Sequence, residues 1–549
     1  MRSHPTAPSR GIHASSRTRR AARALFAALT PFALTVGALG TTGEASRGLA
    51  TPRPYWIALA PKALPKGGVL PRHTELTDRA LLRRARMRSA GGLVDARDLP
   101  IDPARVEAIL ACGADYRTRS RWLNGISVEA DAEELARIMR LPFVAGAWPL
   151  HATRAEDDPE PAPIDGGIAG GDYGFMDAQL MQIDVPSMHA RGFHGEGMVI
   201  GILDTGFNRV HEAFHSAEHP IDVIAEWDVI NDDANTGIEE GDPANQHNHG
   251  TWILGTLAAY RPGEAVGSAY AASFVLAKTE FVPTETAVEE DYYVAGLEFI
   301  EAQGADLATS SLGYIDWYTP EQLDGLTAIT TQAVNIATAN GLVCVTAAGN
   351  SGNDADPATQ RLIAPADAFD VITCGAVALD GSIAGFSSDG PSADGRVKPE
   401  VLANGVSVAS VHSTNAGGYQ ALSGTSLSTP LVAGSIALIM QARAEYGVAD
   451  VRSALFETAG DFAANGTHDP AFVRGYGVIS ARAAAMRDRA AEDFNLDGAV
   501  DARDLAAVLA SWGPCADPDP ATGLCVCDLN GDGAVDAADL AQVLARWGM

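Results

Sequence analysis

Cationic side chains are in short supply: across 549 residues, 39 Lys and Arg stand against 69 Asp and Glu, for a formal net charge of −30. Phosphate contacts need a basic face, and none is visible beyond the first 150 residues, which argues against nucleic acid as a partner. Long apolar runs are equally scarce. The stretch Ala24 to Leu39 follows Arg17, Arg19, Arg20 and Arg23 and is too short to span a bilayer comfortably. It reads as an export signal, cleaved between Gly40 and Ser46, so the product is expected to be secreted. No later run is long and apolar enough to serve as a membrane span after signal removal. Cysteine is sparse, with six residues: Cys112, Cys344, Cys374, and a late group of Cys515, Cys525 and Cys527. Export permits disulfides, and within the late group one bridge can form with one thiol left over.

A chain of this length predicts roughly three units. Three short segments far apart carry an acid, a base and a nucleophile in the order Asp, His, Ser: Asp204-Thr205-Gly206, His249-Gly250-Thr251 and Gly424-Thr425-Ser426. Met198 to Leu203 is an apolar, β-branched run that reads as a buried parallel strand ending at Asp204, and Leu342 to Ala347 is a second, delivering Gly349-Asn350. In open parallel sheets, ligand chemistry gathers beyond the carboxyl ends of the strands. His249 and Ser426 each precede a stretch of helical character, Trp252 to Ala259 and Leu431 to Met440, with Pro430 read as lying in a first helical turn. A helix start behind Ser426 offers unpaired N–H groups where an oxyanion forms. His247 and His249 as a metal pair is the competing reading, but no downstream cluster completes a zinc shell. Ser423 and Ser428 compete with Ser426 as caps or turn hydroxyls.

These motifs, with Ala347-Ala348-Gly349-Asn350, resemble the subtilases, the subtilisin-like serine peptidases, across residues 173–490. The resemblance implies Ser426 as nucleophile, His249 as general base and acid, Asp204 as its orienting carboxylate, and Asn350 with the Ser426 N–H as the oxyanion hole. It further implies that Ser311, Leu312 and Gly313 pair with an extended substrate, and that Ala347, Ala348 and Gly349 wall the first specificity pocket. Ala364-Pro365-Ala366 falls where the family often carries a cis peptide. Trp252 and Leu431 stand where many members have His, which bears on packing and not on catalysis. In a sheet of this kind Cys344 and Cys374 would lie on neighbouring strands, either paired or as buried thiols.

Residues 47–150 read as a small α+β prosegment: strands at Tyr55 to Ala60, Leu123 to Val128 and Val144 to Trp148, helices at Pro103 to Ala111 and Ala132 to Leu141. Asn124-Gly125-Ile126-Ser127-Val128 resembles subtilase propeptides, which chaperone folding and block the site. The segment holds 17 Lys and Arg against 11 Asp and Glu in an otherwise acidic chain, so a basic prosegment steered onto an acidic domain, with salt-sensitive inhibition, is expected. Residues 151–172, rich in Pro, Gly and acid, read as a linker.

Near the C-terminus, Asp493, Asn495, Asp497, Asp501 and Asp504 recur as Asp528, Asn530, Asp532, Asp536 and Asp539. Oxygen ligands at loop positions one, three, five, nine and twelve, with Gly at six, suit Ca²⁺. Two such loops, each followed by one apolar helix, resemble a dockerin over residues 491–549, which implies a cohesin-like partner. The expected whole is an α/β chain: an export signal (1–46), the prosegment, the linker, a subtilisin-like parallel sheet flanked by helices, and a small helical calcium-binding module. Its expected activity is endopeptidase cleavage of extended protein segments. The alternative is a catalytically silent, calcium-dependent extracellular scaffold.

Overall fold

In the chain's central third, short runs of β-branched and small apolar residues alternate with helices, a pattern that builds parallel strands covered on both faces. The computed structural model describes residues 51–62, 75–88, 92–150, 162–164, 172–282, 289–314, 318–515 and 525–548; the expected export signal and most of the linker lie outside them. Seven strands form one parallel sheet, in the order Val401–Asn404, Ile372–Val377, Val343–Ala347, Leu307–Ser310, Val199–Asp204, Ser273–Lys278 and Asp222–Asp228. Every residue of Val199–Asp204 and Val343–Ala347 is buried. Separate apolar clusters cover the two faces, one built around Ile202, Leu254 and Val432, the other around Leu203, Leu297 and Val334.

The expected strands and helices form, with shifted ends. The helix expected from Trp252 spans Asn248–Ala258, and that expected from Leu431 spans Thr425–Ala442. Pro430 therefore sits inside its helix and not in the first turn as expected. Among the described residues, Thr425–Ala442 is also long and apolar enough to cross a membrane, but it is buried in the core. Cys344 and Cys374 do lie on neighbouring strands, yet they belong to the clusters on opposite faces and remain unbridged. Side chains alternate across a sheet, and these two point away from each other.

Residues 53–149 form a four-stranded antiparallel sheet, ordered Asp115–Ser120, Gly125–Ala130, Arg53–Leu59 and Val144–Pro149, with helices Pro103–Leu110 and Ala132–Ile138. Two elements escape sequence reading: the strand Asp115–Ser120, whose charges mask alternation, and the helix Asp78–Met87. At the far end, helices Ala502–Ala510 and Ala537–Ala545 begin at capping boxes made by Asp501 with Asp504 and by Asp536 with Asp539. A small core of Phe494, Val500, Val508, Val535 and Val543 joins them. Of the three late cysteines, Cys515 and Cys525 form the bridge and Cys527 is left over, buried.

Candidate active site

Asp204 closes the strand Val199–Asp204 and is fully buried. Its Oδ1 accepts the Thr205 backbone N–H at 2.7 Å and faces His249 Nδ1 at 2.8 Å. A proton on Nδ1 in that bond leaves Nε2 as the basic nitrogen, the tautomer a general base requires. His249 is the second residue of its helix, and the helix start reaches the strand end only because residue 250 is glycine. A Cβ there would lie 2.2 Å from the Gly206 carbonyl oxygen. Trp252, one turn on, stands edge-on to the His249 ring at 6.2 Å.

Ser426 is the second residue of the helix Thr425–Ala442. Its hydroxyl donates to the Ser311 carbonyl at 3.2 Å, and the Ser311 hydroxyl donates back to the Ser426 carbonyl at 2.8 Å. Pro430 accounts for the second bond. An α-helix would give the Ser426 carbonyl the N–H of residue 430, which proline lacks, so Ser311 supplies the donor. A residue expected to start the helix thus ties the candidate nucleophile to the candidate substrate strand. Asn350 Oδ1 accepts from the Thr425 N–H at 2.9 Å and the Thr425 hydroxyl at 3.0 Å. That fixes the amide, with Nδ2 as its donor end beside the helix start.

Ser311, Leu312 and Gly313 follow the strand Leu307–Ser310, while Ala347 ends the strand next to it and Ala348 and Gly349 follow. The Ala364–Pro365 peptide is cis. His247 and His249 do not share a metal-binding group among the described residues. Instead His247 Nε2 lies 3.3 Å from Asp242, and burial followed by the nearby Lys278 ammonium lowers its pKa. The carboxylates of Asp228, Asp233 and Glu239 do come within 4.8 Å of one another. There a cation is already in place, because the buried Lys278 ammonium lies 2.8 Å from Asp228.

One helix of the large domain, Glu289–Gln303, carries acids that meet the N-terminal module. Glu301 is buried between Arg83 and Arg84, with Arg84 at 2.6 Å and also on Asp98 at 2.9 Å. Glu298 accepts from the Ser120 hydroxyl and from the N–H groups of Arg121 and Trp122, and Asp291 takes Arg117 at 3.1 Å. Arg83 and Arg84 both come from the unforeseen helix Asp78–Met87.

In the C-terminal loops, Asp493 accepts the N–H groups of Asp497 and Gly498, and Asp528 accepts those of Asp532 and Gly533. Asn495 and Asp497, and likewise Asn530 and Asp532, bond each other side by side. Asp504 and Asp539 are fully buried and accept from Phe494 and Leu529 at 2.8 Å. Among the described residues no Lys or Arg pairs with Asp504, Asp528 or Asp539. Burial raises the Asp493 pKa. Buried anionic oxygens without a protein counter-ion fit a hard divalent cation.

Residues 195–478 match the subtilase family, residues 54–160 a peptidase S8 propeptide domain of Bacteroidota, and residues 491–546 a type I dockerin domain. The chain belongs to the subtilase family. It is 30% identical to subtilisin E of Bacillus subtilis over 376 residues, covering 68% of this chain and 84% of that protein. To subtilisin DY of Bacillus licheniformis it is 32% identical over 304 residues, covering 55% and 96%. The fold resembles that of fervidolysin from Fervidobacterium pennivorans, a keratinolytic enzyme related to subtilisin, with a TM-score of 0.54 and 21% identity. That match covers 81% of this subtilase and 62% of fervidolysin. The protein is a subtilisin-like serine endopeptidase with a propeptide and a dockerin domain.

Removing one partner of a buried ion pair costs about 3–5 kcal/mol, or at least about 10²-fold in a binding constant. Glu301→Ala is therefore expected to raise the inhibition constant of added propeptide by about 10²-fold, measured by titrating casein hydrolysis. For the dockerin domain, calorimetry of the full-length subtilase with EGTA is expected to lose one melting transition that added Ca²⁺ restores. Identical traces with and without chelator would contradict calcium binding there.

Proposed function

We propose that this subtilase is secreted as a precursor with an export signal at 1–46, a propeptide at 47–150, a linker at 151–172, a peptidase domain at 173–490 and a dockerin domain at 491–549. Ser426 attacks the peptide carbonyl while its proton passes to His249 Nε2. Asp204 holds the imidazole and offsets the charge it gains. Asn350 Nδ2 and the Ser426 N–H bind the oxyanion. His249 then gives the proton to the leaving amine, and water hydrolyses the acyl-enzyme by the same route in reverse. Substrate lies extended along Ser311, Leu312 and Gly313, which selects unfolded or loop segments of proteins.

Asp493, Asn495, Asp497, Asp501 and Asp504, and Asp528, Asn530, Asp532, Asp536 and Asp539, would hold two Ca²⁺ ions. Bound ions would stiffen the loops and present the two helices to a cohesin-like partner outside the cell. The chemical step needs no metal in this account.

The 2.8 Å contact between His249 Nδ1 and the buried Asp204 carboxylate, at the carboxyl end of a strand whose neighbour leads into Ser311 and its bond to Ser426, supports this reading most strongly. In subtilisin itself, loss of the nucleophile costs about 10⁶ in kcat, and loss of the oxyanion-hole asparagine about 10² to 10³. Ser426→Ala and Asn350→Ala are expected to lower casein hydrolysis by amounts of those orders, with KM changed little for Asn350→Ala. An inactive wild-type chain, after propeptide removal, would favour the silent scaffold instead.

A further inference from the structure

Gly313 and Gly349 lie just beyond the ends of two adjacent parallel strands, and a third segment carrying Ile363 packs against both. The Ile363 N–H donates to the Ala348 carbonyl at 3.2 Å. Next along, Ala364 exchanges two backbone bonds with Tyr314, at 2.9 and 2.8 Å. The three segments thus run as wall, floor and wall, tied by main-chain hydrogen bonds that hold whatever the side chains are.

Neither wall glycine brings a side chain into the gap. Ile363 does. A Cβ on Gly313 would fall 2.0 Å from Ile363 Cδ1, and a Cβ on Gly349 would fall 3.0 Å from Ile363 Cγ2. One branched side chain therefore touches both walls at once, and only 6% of Ile363 is exposed. Both glycines stand next to the candidate reacting groups: Gly313 lies two residues beyond the carbonyl that receives the Ser426 hydroxyl, and Gly349 directly precedes Asn350. A β-branched residue is stiff at χ1 and does not swing aside as Met or Leu can.

We propose that Ile363 fills the floor of the first specificity pocket and restricts cleavage to bonds that follow a small residue, Ala, Gly or Ser. This rests on the peptidase reading above and narrows its substrate class. An aromatic or long side chain at that position meets the Ile363 methyls, whereas a methyl or hydroxymethyl group stops short of them. Even one methylene in an apolar pocket changes selectivity by about 10-fold to 200-fold, so the bias is measurable.

The full-length chain, expressed with its propeptide and brought to steady casein hydrolysis, is assayed on Ala-Ala-Pro-Xaa p-nitroanilides with Xaa as Ala, Leu or Phe, beside Ile363→Gly and Ile363→Ala. In the wild type, kcat/KM for Ala is expected to exceed that for Phe by at least about tenfold. Both variants are expected to raise kcat/KM for Phe relative to that for Ala at least about tenfold. Equal or better cleavage after Phe by a wild type that digests casein overturns the pocket assignment and leaves the peptidase reading standing. Absence of casein hydrolysis overturns the peptidase reading, and the pocket with it. Should neither variant fold, the wild-type ratio of Ala to Phe decides alone.

Discussion

A carboxylate with no solvent contact is expensive unless donors surround it, and Asp204 is such a group at the end of a fully buried strand. One oxygen is met by Thr205 and His249, while Oδ2 has no hydrogen-bond partner among the described residues. This incomplete satisfaction suits the triad role proposed for Asp204, in which the positive charge it lacks at rest would arrive when His249 is protonated. The surrounding sequence serves that arrangement. Gly250 lets the helix start touch the strand end, and the seven-stranded sheet with its two apolar faces holds the strand still.

The proposed nucleophile is placed by a different device. Pro430 removes one helical hydrogen bond, and the orphaned Ser426 carbonyl is taken by Ser311, whose own carbonyl accepts the Ser426 hydroxyl. The same exchange couples the nucleophile to the strand proposed to hold substrate, so a shift in either is felt by the other. Charge is distributed with comparable economy across the precursor. Arginines of the propeptide neutralise one acidic helix of the peptidase domain in buried pairs, which salt screens poorly. In the dockerin domain the buried Asp504, Asp528 and Asp539 have no Lys or Arg partner among the described residues, an arrangement that suits the proposed Ca²⁺ sites.

Much of this was legible in the residues, for physical reasons. Asp204, His249, Asn350 and Ser426 stand at the ends of strongly patterned segments, and in open parallel sheets ligand chemistry gathers beyond the carboxyl ends of the strands. The dockerin domain was legible because its acidic loops repeat at a fixed offset, with the spacing that an ion of Ca²⁺ size dictates. What escaped depends on tertiary partners. Asp78–Met87 is a helix whose Arg83 and Arg84 are buried only because Glu301 and Asp98 wait for them. Pro430 looks like a helix start until Ser311 is seen to replace its missing donor. Cys344 and Cys374 sit on adjacent strands, but the alternation of faces keeps them apart. Ile363 is one more apolar residue in sequence, and only the crossing of three segments gives it a pocket to fill.

The most direct test of the central claim is covalent labelling with diisopropyl fluorophosphate followed by peptide mapping. Fluorophosphonates react with a serine only when a neighbouring base takes its proton and an oxyanion hole holds the adduct. Stoichiometric phosphorylation of Ser426 in the matured chain, absent from His249→Ala, is the predicted result. Labelling that leaves Ser426 unmodified, or that persists without His249, would contradict the account.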